Sequence, residues 1–449
     1  MKTSPDVLRT ARRRYVTVNL LFWLPTGLSF GTAVLLFTER GLSLAAVAAC
    51  FAAHSITAAV LELPTGGLSD VLGRRPILAL AGVFNVAALL LQSVVSSPAM
   101  LALSMALVGA GRALSSGPAE AWYVDTVQAH SGPDADLRTG LARGSTAVAV
   151  ALAVGTLTGG AIPWLLSLGP DLGAQLAEAT GGLLVPMSVP RLLGAAVAVG
   201  FVLYVLSALR EPPREPSTLG QVVRGVPATV LQGLKLGTHE ATVRRVLLGS
   251  AAAGAGLAAM ELLVPGRAAG VTGSLESGAV LYSVLSCAGF VLSGFGSSLA
   301  PLVARLTRSG ERAVLVSFAL GVCGLVLLAV TARSTVPVAL GLAVLGFGIF
   351  YLGLGAAGPN ENELLHRRVT SAQRATALSV QSLALQISAG LSGVVMGAMA
   401  AGAGPWLLAA GVLMLGTLLW VRAAVGGGTV QPPPAEHTEE ADAVAAARG

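Results

Sequence analysis

Charge is the first thing this sequence is short of. Asp, Glu, Lys and Arg make up 11% of its 449 residues, against roughly a quarter in soluble domains. A chain this poor in charge cannot clothe a water-facing surface, so the soluble globular classes are excluded. Aromatic residues are also scarce, at 5%. The three cysteines, Cys50, Cys287 and Cys323, each sit inside an apolar stretch. Their spacing suits neither a secreted disulfide framework nor a metal site, and the plain reading is small apolar packing residues. There is no G-x-x-x-x-G-K-[ST] run to cradle nucleotide phosphates, and no H-E-x-x-H pair. The expectation is no catalytic residue, no metal and no cofactor.

What fills the gap is apolar sequence, 54% of the chain, together with 56 glycines. The apolar residues fall into segments of about 20, the length that crosses ~30 Å of hydrocarbon. Small residues let helix backbones approach closely in lipid. Twelve spans are read, at 16–37, 43–65, 76–95, 99–124, 144–167, 192–209, 246–265, 277–303, 313–332, 335–357, 376–399 and 404–421. Let the sides alternate, starting inside. All 28 Lys and Arg then fall inside, except Arg40, Arg191, Arg267 and Arg333 outside and Arg112 within a span. So strong a bias puts both termini in the cytoplasm of a multi-pass inner (plasma) membrane protein and supports an even span count. The net charge of +6 is thereby topology, not a nucleic-acid footprint.

The chain divides into a six-span half at 1–209, a linker at 210–245, a second half at 246–424 and a tail at 425–449. The linker opens Arg210-Glu211-Pro212-Pro213, which breaks the sixth helix. Val222, Val223, Val226, Val230, Leu231 and Leu234 then recur at near-helical spacing, as in an amphipathic helix on the membrane surface. The Pro-rich, acidic tail is expected to be disordered. The halves read as repeats. Gly117-Pro118-Ala119-Glu120 near the inner end of the fourth span corresponds to Gly358-Pro359-Asn360-Glu361 at the tenth, and Gly73-Arg74-Arg75 corresponds to Gly310-Glu311-Arg312.

The loop between the second and third spans carries the sharpest signal. Gly66, Leu68, Ser69, Asp70, Gly73, Arg74 and Arg75 fit G-x-L-[SA]-D-x-x-G-[RK]-[RK], and with six spans per half the chain resembles the major facilitator superfamily. The resemblance implies an all-α membrane protein of twelve transmembrane helices in two pseudo-symmetric six-helix bundles. It further implies secondary active transport of a small molecule by alternating access. Glu62-Leu63-Pro64-Thr65 and Ser116–Trp122 are similar to bacterial exporters, which implies proton-coupled efflux by an antiporter acting as a monomer. The fifth span keeps Gly155, Gly159 and Gly160 but lacks the proline of the antiporter pattern. Import or uniport, a membrane-embedded enzyme, and a sensor that binds without moving its ligand are the competing readings.

The same resemblance assigns gating to the loop, with Asp70 as a clasp between halves. Gly73 makes the turn, and Arg74 and Arg75 seek acids such as Asp125. Other candidates follow from burial cost. Arg112 lies mid-span, where an unpaired guanidinium costs ~2.5 kcal/mol or more, so it should face the bundle interior. Glu120 and Glu361 follow the two Gly-Pro breaks, where transporters place coupling sites. Glu261 has wholly apolar flanks and is read in the outer part of the seventh span. Asn19, Trp23 and Thr26 share one face of the first helix. Arg112, Glu120, Glu361, Glu261, Asn19 and Trp23 are therefore the coupling or substrate-binding candidates, with a small molecule, protons and the lipid bilayer as partners.

Overall fold

The computed structural model describes residues 5–132, 135–211 and 240–425. The amphipathic linker helix and the tail beyond 425 lie outside the described residues. Among the described residues, eleven helices are long and apolar enough to cross a membrane, and a twelfth span is the pair Pro5–Phe30 and Ala33–Glu39, bent by 47°. The remaining spans of the first bundle are the second (Leu44–Leu72), the third (Arg74–Val94), the fourth (Pro98–Ser115 continuing as Pro118–Ser131), the fifth (Arg138–Leu166) and the sixth (Val189–Ala208). Those of the second bundle are the seventh (Ala241–Thr272), the eighth (Leu275–Thr307), the ninth (Gly310–Val330), the tenth (Pro337–His366), the eleventh (Ser371–Ala398) and the twelfth (Ala403–Val425).

The packing obeys one rule. The first span lies on the fifth and sixth, the second on the fourth, and the third on the fourth and sixth. Adding six to each number gives the principal packing of the second bundle: seventh on eleventh and twelfth, eighth on tenth, ninth on tenth and twelfth. The seam between bundles obeys it too, since the second span packs on the eleventh and the eighth on the fifth. Two six-helix bundles related by a pseudo-twofold axis along the bundle are the result.

Arginine caps repeat with the same symmetry. Arg40, past the end of the first span, donates to the Ser93 carbonyl at the end of the third, 2.9 Å away. Arg267 on the seventh span donates to the Thr331 carbonyl after the ninth, at 2.6 Å. At the other end of the molecule, Arg75 donates to the Leu206 carbonyl in the last turn of the sixth span, and Arg312 Nε to the Ala424 carbonyl of the twelfth, at 2.9 Å. Each cation meets the carbonyl-rich end of a helix dipole. The Arg75 backbone N–H also donates to Glu211 Oε1 at 2.6 Å.

The two Gly-Pro sites differ. Gly117 takes φ +94° and ends one helix so that Pro118 starts another. The tenth span runs unbroken through Gly358 and Pro359. Pro359 has no N–H for the Gly355 carbonyl four residues back. Ser297 Oγ of the eighth span donates to that carbonyl at 2.9 Å, which spares the helix a break. The expected second break is therefore absent.

Glycine sets the bundle contacts. A Cβ on Gly155 would lie 2.9 Å from the Leu24 carbonyl oxygen and from Gly27 Cα, so the first and fifth spans touch backbone to backbone. One apolar cluster joins both bundles, with Val34, Leu36 and Phe37 from the first and Met260, Tyr282 and Phe350 from the second. A second cluster, around Tyr15, Trp122 and Phe201, belongs to the first bundle alone. The bundles are closed on each other at the end away from the termini, where Gly397 meets Leu44 and Ala45, and Phe30 stacks on Tyr282 with ring centroids 5.9 Å apart.

Candidate functional site

A cavity of about 300 Å³ opens between the bundles below that closure. Its walls come from both sides: Trp23, His54 and Arg112 of the first bundle, Glu261 and Gln386 of the second. A second cavity of about 280 Å³ adjoins it and is lined by Asn19, Glu62, Ser116 and Glu120. Phe22, Trp23 and Arg112 line both, so the two share a wall at Arg112. Ser116 and Glu120 are exposed, which carries the second cavity toward the terminal end of the bundle.

The local chain explains each placement. Asn19 and Trp23 are four apart on the first helix and face the same void; Asn19 Nδ2 donates to the Tyr15 carbonyl at 3.0 Å. Arg112 lies one turn before the break at Gly117, and Glu120 in the first turn after it. The break therefore brings an arginine and a glutamate of the same span to one cavity. Among the described residues, the Arg112 guanidinium makes no hydrogen bond and is exposed to the cavity. Glu261 lies in the body of a helix longer than the sequence suggested, so it faces the central cavity and Arg112, not the outer water.

Glu361 is elsewhere. It is 4% exposed inside the second bundle, with Oε1 against the position of Gly249, which the Phe318 ring also meets. That oxygen has no hydrogen-bond partner among the described residues. Glu120 and Glu361, equivalent in sequence, are brought to different surroundings because, of the fourth and tenth spans, only the fourth breaks. Glu363 forms a surface ion pair with Arg367.

Gly73 takes φ +102° and alone separates the second helix from the third. The Arg74 guanidinium pairs with the Asp125 carboxylate of the fourth span. Both residues belong to the first bundle, so this pair braces that bundle and does not cross the seam. The Asp70 side chain lies outside the described residues.

Sequence reasoning missed two polar groups. Gln386 Nε2 donates to Glu62 Oε2 at 3.4 Å across the seam and to Ser382 Oγ at 3.1 Å. Arg191 is fully buried and donates to Thr32 Oγ1 at 2.8 Å, the Met187 carbonyl at 3.0 Å and Gln92 Oε1 at 3.2 Å. It also reaches the Ser29 carbonyl at 3.5 Å, beside the bend in the first span. The signal available was the rarity of amides and guanidinium groups within apolar runs.

No protein-family profile matches the chain, and no curated protein matches it in sequence. Solved structures match its fold. The nucleoside transporter NupG is 15% identical over 92% of this chain and 98% of that one, with a TM-score of 0.70. A bacterial homologue of the human lysosomal transporter Spinster, inward-facing and unoccupied, is 16% identical over 94% and 96%, with a TM-score of 0.66. The xylose transporter XylE from E. coli, inward open, is 16% identical over 97% and 99%, with a TM-score of 0.64.

Proposed function

We propose, from the major facilitator fold that this chain has, that it is a secondary transporter moving a small molecule by alternating access. The observation that carries the reading is the central cavity, walled by charged residues of both bundles and sealed at one end by their contact. A rocking of one bundle on the other would open that seal and expose the cavity to the opposite side. With both termini in the cytoplasm of the inner membrane, as the arginine bias implies, the state described is inward-facing. The chain works as a monomer, its halves at 1–209 and 246–424 joined by the linker.

Coupling is assigned to protons. Glu261 and Glu120 flank Arg112, so a proton arriving on either acid changes how strongly the arginine is held. Asn19 and Trp23 form the substrate wall of the first bundle. Glu361, away from both cavities, has no substrate contact in this scheme. Asp70 and Gly73 are assigned to the gate at the terminal end, with the Arg74–Asp125 pair bracing the first bundle behind it. The proposed direction is export, supported by the exporter-like segments Glu62–Thr65 and Ser116–Trp122. A D-xylose-proton symporter is among the solved structures of similar fold, at 16% identity and a TM-score of 0.66, so direction is the property to measure first.

The test is a compound screen in proteoliposomes against an imposed proton gradient, with direction read from the sign of the gradient that drives accumulation. Gradient-driven flux that is lost in Arg112→Gln is the expected result. Conversion of a compound without flux would replace this reading by an enzyme, and saturable binding without flux would replace it by a sensor.

A further inference from the structure

A groove of about 740 Å³ runs along the outer face of the second bundle, between the seventh, eleventh and twelfth spans. It shares no lining residue with the two cavities between the bundles. Leu248, Leu415 and Leu418 on its rim are 47%, 65% and 53% exposed, so it opens outward, where a spanning helix meets lipid. Small residues make its depth. Ala252 and Gly416 are buried there, and a Cβ on Gly416 would lie 2.6 Å from Ala252 Cβ. The seventh and twelfth spans thus approach closely, and the side-chain volume they lack is the groove.

The groove is charged at one end only. Arg244 and Arg245, near the start of the seventh span, line the end nearer the termini. Among the described residues no acid lines it, and Ser388 is the remaining polar group. Arg245 is half-buried, and its guanidinium has no ion pair or hydrogen bond among the described residues. Beyond the arginines the lining is apolar along the rise from Arg245 to Ala252, roughly 10 Å. One leaflet is half of a ~30 Å hydrocarbon core. A basic end at headgroup level, continued by an apolar channel toward the midplane, matches a molecule with an anionic phosphate and a long acyl chain. A free phosphate would leave the apolar length uncovered.

We propose that this groove is a binding site for an anionic phospholipid. Arg245, with Arg244 beside it, holds the phosphate, and one acyl chain lies along Ala252 and Gly416 between the leucines. With the termini in the cytoplasm, the arginine end meets the cytoplasmic leaflet. The binding stands without the transporter reading, whereas its consequence rests on that reading. The seventh and eleventh spans separate the groove from the central cavity: Glu261 and Gln386 line the cavity, Ala252 and Ser388 the groove. A lipid seated there bears on both helices that wall the cavity from the second bundle, and its removal should slow transport.

The test titrates delipidated full-length protein in detergent with dioleoylphosphatidylglycerol, dioleoylphosphatidylcholine or glycerol 3-phosphate. Native mass spectrometry counts bound lipid, and thermal unfolding is followed in parallel. The anionic lipid should bind at one saturable site, about tenfold more tightly than the zwitterionic one, without competition from glycerol 3-phosphate. Arg245→Gln should weaken the anionic lipid by about fivefold and leave the zwitterionic one unchanged. Ala251→Leu, which fills the groove, should weaken both. Arg143→Gln, at an exposed arginine of the fifth span, should change neither. Two substitutions of unlike chemistry guard against one that fails to fold, and elution as a single species is required of each. Equal binding of the two lipids, equal loss in Arg143→Gln, full competition by glycerol 3-phosphate, or a dimer that Ala251→Leu dissociates overturns the lipid site and leaves transport intact. Selective lipid binding with no flux of any screened compound in proteoliposomes overturns the transporter reading and leaves the lipid site standing. Flux that is the same with and without the anionic lipid overturns the consequence for transport.

Discussion

Gln386 reaches across the seam between the bundles to the Glu62 carboxylate, 3.4 Å away, where the second span meets the eleventh. The same two helices meet again nearer the closed end, at Ala52 and Gly390 and then at Leu44 and Gly397. The second and eleventh spans thus run together from the closed end to the level of the cavity, and any rocking of the bundles must part them.

This makes a cross-link decisive. A Cβ on Gly390 would lie 3.3 Å from Ala52 Cβ, close to the ~3.8 Å mean of disulfides. Ala52→Cys with Gly390→Cys, in a chain whose own three cysteines are replaced, should oxidise readily and stop flux. A reducing agent should restore it. Undiminished flux in fully oxidised protein would show that this seam does not open.

The Arg74–Asp125 pair should matter more to turnover than to stability. Its side chains are 19% and 44% exposed, and exposed pairs contribute about 0–1 kcal/mol. Arg74→Asp is expected to slow flux with little change in thermal unfolding. The exchanged double variant, Arg74→Asp with Asp125→Arg, should recover part of the rate. A double variant as slow as the single one would count against the pairing.

Gly155→Leu tests the backbone contact of the first and fifth spans. A side chain there has no room beside Leu24 and Gly27, and overpacking costs about 1–3 kcal/mol or more. The expected outcome is loss of monodisperse protein, with Gly155→Ala milder. Normal yield and melting of Gly155→Leu would refute the close approach.

Arg191→Met removes a fully buried cation that serves Thr32, Gln92 and two carbonyls. Each buried acceptor left unpaired costs about 1–3 kcal/mol. Thermal unfolding should shift down clearly, while gradient-driven flux by the folded fraction is retained, because Arg191 lines neither cavity. Loss of flux in a variant of unchanged stability would give Arg191 a role in the site itself.

The span count, the bundle repeat and the tight turn between the second and third spans could be read from the chain because each is written in local sequence. Run length fixes what can cross a membrane, and Gly73 marks the turn that its positive φ confirms. Arg112 and Glu261 stood out because charge within an apolar run is costly wherever it lies. The equivalence of Glu120 and Glu361 was misleading. Both follow Gly-Pro, but Ser297 donates to the carbonyl that Pro359 orphans, and Ser297 is on another helix. Gln386 and Arg191 were overlooked for the same reason, since their partners Glu62, Gln92 and Thr32 are far off in sequence.

Sequence alone determined that this protein lives in lipid, with twelve spans, two similar halves and a charged loop between the second and third spans. Those properties follow from hydropathy and residue order, which act locally. Tertiary structure decided which polar groups meet. Close packing at glycines aligned the spans, the first bundle alone broke at its Gly-Pro, and the two bundles met so that Arg112, Glu62, Glu120 and Glu261 share adjoining cavities while Glu361 does not. Charge balance in a cavity is a sum over helices from both halves, and no single stretch of sequence contains it.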